Sequence, residues 1–249
     1  MSSNYNKFSL QTPWLSKSGV LTYDFCPRKF YLKKIEDYDL PESDALQKGI
    51  KFHNWVDELF DNIDKSALIN GETTIREEYK RHFPDDFEAI DKQEVDLYTN
   101  FIEMEEERWE ETENKEDFFP IKTEEFLSDE DLMFHGAYDR LDKYGEEDGE
   151  DVHIVYDYKT GSYKNYRESN YRFQLCGYRH LIHKNYDKYN VKYGGIIFPK
   201  EKRIWTEELK TRSINAFEDR VKRTRDSILD RDFSKTGYCK YCDFDIYCR

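Results

Sequence analysis

The spacing of apolar residues changes period four times along the chain. In residues 44–63, Ile50, Trp55, Val56, Leu59 and Phe60 fall near helical spacing, which predicts a helix there. Residues 22–38, rich in Phe and Tyr, predict a helix before it. Residues 88–112 predict a long acidic helix with Ile90, Leu97, Phe101 and Ile102 on its apolar side. Strand signals then take over. Residues 118–127 and 132–142 predict two strands joined by the acidic turn Ser128-Asp129-Glu130-Asp131, and residues 152–158 (VHIVYDY) give the clearest strand of the chain. Helical spacing returns over 170–186. Two further strands are predicted at 192–198 and 203–208, a last helix at 212–230, and an irregular cysteine-rich tail from Phe233. This order predicts an α/β fold, an α+β mixed sheet flanked by helices, with helical material ahead of the sheet.

No internal repeat or low-complexity linker divides the 249 residues, so one domain over 1–249 is expected. Its parts are a mainly helical segment 1–115, a core 116–209, and a helix with the tail at 210–249. Tyr (20) and Phe (17) are abundant, which points to a core built on aromatics rather than on Leu and Val. No apolar run reaches the length of a membrane span, and the first fourteen residues, MSSNYNKFSLQTPW, hold no apolar signal core. A cytoplasmic protein with no membrane partner is the expectation. The net charge of −14 argues against a protein that coats polyanions generally, but not against a local basic groove. Acidic residues crowd 103–113 and 146–151. Between 159 and 184, by contrast, Lys159, Lys164, Arg167, Arg172, Arg179 and Lys184 stand against Glu168 alone. Such a basic, Tyr-rich stretch suits phosphates and stacked bases, and equally suits a solvated helix face.

The sharpest chemistry is Asp157-Tyr158-Lys159-Thr160-Gly161 at the end of the VHIVYDY strand. Residues two apart in a strand share a face, so Asp157 and Lys159 project together. A carboxylate so placed can hold a divalent cation while the ammonium stands beside the attacking water. Gly161 would let the chain turn out of the sheet. By itself a D-x-K pattern fits an edge-strand ion pair as well. Upstream, Asp139 in His135-Gly136-Ala137-Tyr138-Asp139-Arg140-Leu141-Asp142 ends the preceding strand, and a hairpin would bring it beside Asp157. Further back, Gly49-Ile50-Lys51-Phe52-His53 puts a histidine on the second helix, four residues after a glycine that permits close approach. Downstream, Gln174 and Tyr178 share a helix face at i and i+4, placed to reach the same site or the DNA strand. Glu124 or Glu125, one strand earlier, would add a further carboxylate.

In this order, G-x-x-x-H, G-x-x-D-R-x-D, D-Y-K-T-G and Q-x-x-x-Y resemble the RecB-type nuclease domain of the PD-(D/E)XK superfamily, from Cys26 to Cys248. The resemblance implies a restriction-endonuclease-like core. It implies His53, Asp139, Asp157 and the backbone carbonyl of Tyr158 as ligands of Mg²⁺ or Mn²⁺, and Lys159 as the catalytic lysine. Gln174 and Tyr178 would form the substrate-side motif, with Arg172 and Arg179 of the same helix as further substrate contacts.

Five cysteines without a secretory signal make a disulfide framework improbable. Cys239-x-x-Cys242-x₅-Cys248 lies in the tail, and Cys26 stands far upstream in Cys26-Pro27-Arg28-Lys29-Phe30-Tyr31. Four thiolates suit a [4Fe–4S] cluster or a zinc ion, and spacing does not separate the two. One early cysteine, then the nuclease motifs, then C-x-x-C-x₅-C resembles the iron–sulfur RecB-type exonucleases, including the CRISPR-associated exonuclease family and the nuclease subunit of bacterial recombination machines. That resemblance implies a structural [4Fe–4S] cluster joining the N-terminal helix to the C-terminal tail. Cys176 reads as a buried packing residue. The expected function is a DNA exonuclease or end-processing nuclease acting on single strands or free ends. An endonuclease or flap nuclease on the same core, and a non-catalytic nucleic-acid scaffold with a zinc site, are the alternatives. No Walker A pattern occurs, so a helicase acting with this chain, or a CRISPR or recombination partner, would be a separate protein.

Overall fold

A computed structural model describes residues 9–38, 43–84, 91–236, 242–244 and 247–248. Five strands form one sheet in the order β1-β2-β3-β4-β5: β1 Lys122–Asp129, β2 Phe134–Glu147, β3 Glu150–Tyr158, β4 Val191–Phe198 and β5 Arg203–Glu208. Neighbours run antiparallel except β3 and β4, which are parallel. A parallel pair needs a crossover, supplied by helix α7 (Glu168–Asn185). The central β3 is buried from Val152 to Val155 on both faces, which explains why its apolar residues do not simply alternate with exposed polar ones.

The remaining helices are α1 Lys17–Phe25, α2 Pro27–Lys34, α3 Asp44–Asn62, α4 Lys65–Ile69, α5 Ile75–Arg81, α6 Lys92–Glu111 and α8 Thr211–Leu229. The single helix expected over 22–38 is in fact two. α1 begins earlier, capped by Ser16, whose Oγ accepts from the Gly19 amide at 3.3 Å. The chain then breaks at Cys26 (φ −163°, ψ 110°) because Pro27 disfavours helical backbone in the residue before it, and Pro27 then opens α2 at its first position. α4 and α5 were not anticipated, although α5 opens on a complete capping box between Thr74 and Glu77. The long acidic helix starts at Lys92, and residues 85–90, where its expected start falls, lie outside the described residues. β2 and β3 reach further than expected. They meet across Asp148-Gly149, both at positive φ (54° and 82°), the backbone that a tight two-residue hairpin requires.

Helices cover both faces of the sheet. On one face Val20, Phe30, Leu175, Leu181 and Phe217 pack on Leu141, Val155 and Ile196. On the other, α3, α5 and α6 contribute Phe52, Trp55, Tyr79, Tyr98 and Phe101 against Tyr158 and Ile197. Val155 and Tyr158, or Ile196 and Ile197, serve opposite layers, as strand alternation demands. The second layer is the aromatic core foreseen from composition. Phe52 meets Tyr98, Phe101 and Tyr158 edge-on at ring separations of 5.6, 5.6 and 6.1 Å. α7 settles closely on β4 at Gly194, where an added Cβ would stand 2.9 Å from Leu175. That close seating brings the inner face of α7 to the end of β3.

Two tethers fix the chain ends around this core. Leu15 bridges to Phe134, donating its amide to Met133 O at 2.8 Å and accepting from the His135 amide at 2.9 Å. The tail returns to α1 and α2: Thr236 Oγ1 donates to Phe25 O at 2.9 Å, Arg28 N to Ser234 O at 3.2 Å, and Tyr31 stacks against Phe233. Among the described residues no helix is long and apolar enough to cross a membrane.

Candidate active site

The carboxylates and the lysine meet where the end of β3 lies against β2, α3 and α7; Asp139, expected to end its strand, stands inside β2, which runs on to Glu147 because its pairing with β3 continues. Asp157 and Lys159 share a face as expected, and the Lys159 ammonium pairs with Asp157 Oδ2. The other oxygen, Oδ1, accepts from the Tyr178 hydroxyl at 3.0 Å and from Gln174 Nε2. Gln174 Nε2 also stands 2.6 Å from that hydroxyl, so the i, i+4 pair on α7 acts as one bracket for Asp157. Asp139 Oδ2 accepts from the Tyr158 amide at 2.6 Å, and its Oδ1 lies 3.3 Å from Nδ1 of His53 on α3. The two aspartates are thus joined through the backbone of Tyr158.

Of the two glutamates on β1, the structure separates their roles. Glu124 occupies the register position opposite Asp139, between the pairs Thr123↔Arg140 and Glu125↔Tyr138, where the ladder is interrupted. Its φ of 38° is rare for a residue with a side chain and re-aims the carboxylate. His53, Glu124 and Asp139 each offer a ligand atom, all within 4.8 Å of one another. Asp157 is not in this trio, because its oxygens are held by α7 and Lys159. Glu125 is used structurally, accepting from the Tyr138 hydroxyl at 2.7 Å and from Lys122.

Charge is distributed unequally over the site. Burial, and after it the charge of Asp157, push the Asp139 carboxyl above the ordinary aspartate range. Burial would do the same to Asp157, but Lys159 and then Lys17 outweigh it and hold Asp157 below that range. Burial disfavours protonated His53, yet the Asp139 carboxylate beside it raises its pKa overall. Lys159 is likewise raised, its burial outweighed by Asp157 and Asp139. Two carboxyls driven apart in this way mark a functional site more often than a structural one.

Lys17 was missed from the sequence. It is the first residue of α1 and its ammonium lies in the field of Lys159, Asp157 and Asp139, with its pKa drawn down to about 8 by burial and then by Lys159. No motif spacing marks it; only the strand-like anchoring of Leu15 puts it there. Two glycine expectations also change. An added Cβ at Gly49 would meet only Thr160 Oγ1, at an ordinary 3.5 Å, so α3's approach does not demand glycine. Gly161 lies in the bend after β3 without a positive φ and with open space around it, so the turn there does not depend on glycine's freedom.

Arg172 and Arg179 do not join the cluster. Arg172 pairs with Glu207 of β5, with Nη2 to Oε2 at 2.6 Å, and Arg179 donates to the Leu209 carbonyl. Arg172 lines a cleft of about 790 Å³ between α7 and α8 that shares no residue with the site. Cys176 is fully buried beside that cleft, its thiol pushed up to about 12 by burial and then by Glu207. Cys26 is buried at the junction of α1 and α2, facing the returning tail. Cys242 and Cys248 are partly exposed, and Cys239 lies outside the described residues.

Two aspartates, a glutamate, a histidine and a lysine gathered at the end of the central strand of a mixed sheet are the groups that metal-assisted phosphodiester hydrolysis can use. The family follows from comparison: the sequence profile of the PD-(D/E)XK nuclease superfamily matches residues 14–249, and the chain belongs to that superfamily. No curated protein matches it. Among solved structures, a crystal structure from Eubacterium rectale called "Putative exonuclease" is similar to the chain. Its TM-score is 0.55 and its identity 15%, with 100% of this chain and 94% of that one covered. At that identity the likeness speaks for the fold.

Proposed function

We propose that this chain is a divalent-metal-dependent deoxyribonuclease that removes nucleotides from DNA ends. The observation that carries the reading is the convergence of Asp139, Asp157, Lys159, His53 and Glu124 at one end of β3. The His53, Glu124 and Asp139 donors are hard oxygens and an imidazole close enough together to fit one Mg²⁺ or Mn²⁺; the proposed ligand set adds the Tyr158 carbonyl and Asp157, which would exchange its contact with Lys159 for the cation. A cation held there would act as a Lewis acid on the phosphate and make the attacking water more acidic. The chain's own residues do the rest. Lys159 places a positive charge where charge builds on the phosphate. Gln174 and Tyr178 keep Asp157 from turning away. Lys164, exposed Tyr166 and Arg167, directly downstream of β3, provide a basic and aromatic surface for the strand.

The test is digestion of end-labelled DNA with Mg²⁺ or Mn²⁺. The expected result is release of labelled mononucleotides from linear DNA, intact covalently closed circles, and no product in chelator or with Asp157→Ala. Cutting of circles as fast as linear DNA would make the protein an endonuclease. Full cleavage by Asp157→Ala in chelator would remove the metal site from the mechanism.

The same reading assigns Cys26, Cys239, Cys242 and Cys248 to a structural [4Fe–4S] cluster. The docking of the tail on α1 and α2 around buried Cys26 supports it, since a centre there would close a loop around the whole core. Anaerobically purified protein should be brown. Cys26→Ser should lose the visible absorbance, melt lower and release the tail to protease. A colourless protein carrying one zinc per chain would replace the cluster with a zinc site, and a Cys26→Ser protein with full iron and wild-type melting would free Cys26 from the ligand set.

A further inference from the structure

We infer that the cleft between α7 and α8 extends the substrate site, with Arg212 and Arg223 binding phosphates of the DNA strand beyond the one being cut. This rests on the nuclease reading and gives its substrate a path outside the four motifs.

The first argument is shape. The cleft holds about 790 Å³, within the range of roughly 300 to 1,000 Å³ that ligand clefts occupy. Its floor is formed by the buried side chains of Phe173, Cys176 and Phe217, the two rings 5.1 Å apart. The second argument is charge. The chain carries −14 overall, yet Arg172, Lys210, Arg212, Arg220 and Arg223 line this cleft against Glu207 and Glu208. Three of these cations are engaged within the protein: Arg172 by Glu207, Lys210 by Glu208 at 3.5 Å, and Arg220 by Asp24 at 2.5 Å. Arg212 and Arg223 are exposed, and among the described residues neither has a carboxylate partner. Their separation along α8 is close to three turns, so they share a face and stand about 16 Å apart along the axis. The charges of a DNA strand recur every few ångströms, so one strand can meet both. The third argument is continuity. Gln174 holds Asp157 from one side of α7, and Phe173 beside it floors the cleft on the other. Site and cleft are therefore one helix apart, about 10 Å. Exposed Lys164, Tyr166 and Arg167 lie between the end of β3 and Ser169 on the cleft wall. A strand leaving the site over that turn rounds the start of α7 and enters the cleft. This continuity favours the DNA strand over an acidic partner protein as the occupant.

The experiment compares wild type with Arg212→Gln, Arg223→Gln, the double variant, and Lys222→Gln as a control. Lys222 is exposed on the same helix but does not line the cleft. Fluorescent single strands of about 4 and about 16 nucleotides are titrated across a salt series, with Ca²⁺ in place of Mg²⁺ to slow cleavage. For the longer strand at about 0.1 M salt, each single variant should bind about 5-fold more weakly and the double variant about 25-fold. The salt slope should fall by roughly 0.7 for each arginine lost. The short strand, held at the end of β3 alone, should bind the arginine variants with wild-type affinity, and Lys222→Gln should bind both strands like wild type. Wild-type affinity and slope in the double variant overturn the inference alone and leave the cleft to a partner other than DNA. An equal loss for both strand lengths, or the same loss in Lys222→Gln, also overturns it. A wild-type protein that neither binds nor cuts either strand overturns the nuclease reading and this inference with it.

Discussion

Lys159→Met is expected to slow DNA hydrolysis by about 10²- to 10³-fold while leaving DNA binding in Ca²⁺ close to wild type. The argument rests on where the ammonium stands. It is half-buried, paired with Asp157, and held at the end of β3 by its own amide bonding to Ile197 O at 2.9 Å. A charge fixed in a partly dry site costs no reorganisation when negative charge develops on the phosphate, so its effect belongs to the chemical step rather than to binding. Methionine keeps the length and packing of the stem. Lys159→Arg should not restore the rate, because the planar guanidinium cannot occupy the point position of an ammonium beside Asp157. Steady-state kinetics over a range of DNA concentrations separates the two contributions. An unchanged kcat with raised KM would assign Lys159 to substrate binding, and unchanged kinetics would leave it as a neutralising partner of Asp157 only.

The site was legible in the sequence to the extent that strand geometry dictates neighbours. Asp157 and Lys159 had to share a face, the hairpin had to bring Asp139 beside them, though it stands inside β2 rather than at its end, and Gln174 and Tyr178 had to share a helix face. What periodicity does not contain is which side chain captures which. The pair Gln174 and Tyr178, placed by the sequence to reach either this site or the DNA strand, hydrogen-bonds Asp157. Glu124 owes its place beside His53 and Asp139 to a single residue at φ 38°, and no residue-type preference announces such a backbone. Lys17 reaches the site only because Leu15 makes a bridge to a strand more than a hundred residues away. Arg172 and Arg179 looked like phosphate ligands because they are cations on the right helix. They lie on its other flank, where Glu207 and the Leu209 carbonyl hold them. In the fold, the helix break at Cys26-Pro27 and the capping box of α5 were both written in readable signals. The register of β1 on β2 was not, because the ladder is interrupted at Glu124.

Arg140→Met is expected to destabilise the protein by about 3–5 kcal/mol, a fall in melting temperature of roughly 6 to 20 °C for a domain of this size. Arg140 sits beside Asp139 in the sequence but does different work. Its side chain is wholly buried, with Nε 2.7 Å from Asp142 Oδ1 and Nη1 3.1 Å from Glu105 Oε1 on α6. Arg108 grips the same Glu105 at 2.5 Å. The network clamps α6 to β2, and Nη1 also stands 3.5 Å from the hydroxyl of Tyr158, whose amide holds Asp139. Removing the guanidinium leaves Asp142 buried without its closest cation and leaves Glu105 to Arg108 alone. Burial alone would raise the Glu105 pKa from 4.5, but Arg108 and Arg140 outweigh it and lower it. A depressed carboxylate contributes its full stability above the unfolded value and loses it as pH falls through the folded one. The wild type therefore gives up this contribution below about pH 4.5, whereas the variant has less of it to lose. The stability gap between the two should be widest near neutrality and narrow on acidification. Chemical denaturation of both proteins across that range measures it, and a gap that stays constant with pH would mean that Arg140 acts by filling space rather than by its charge.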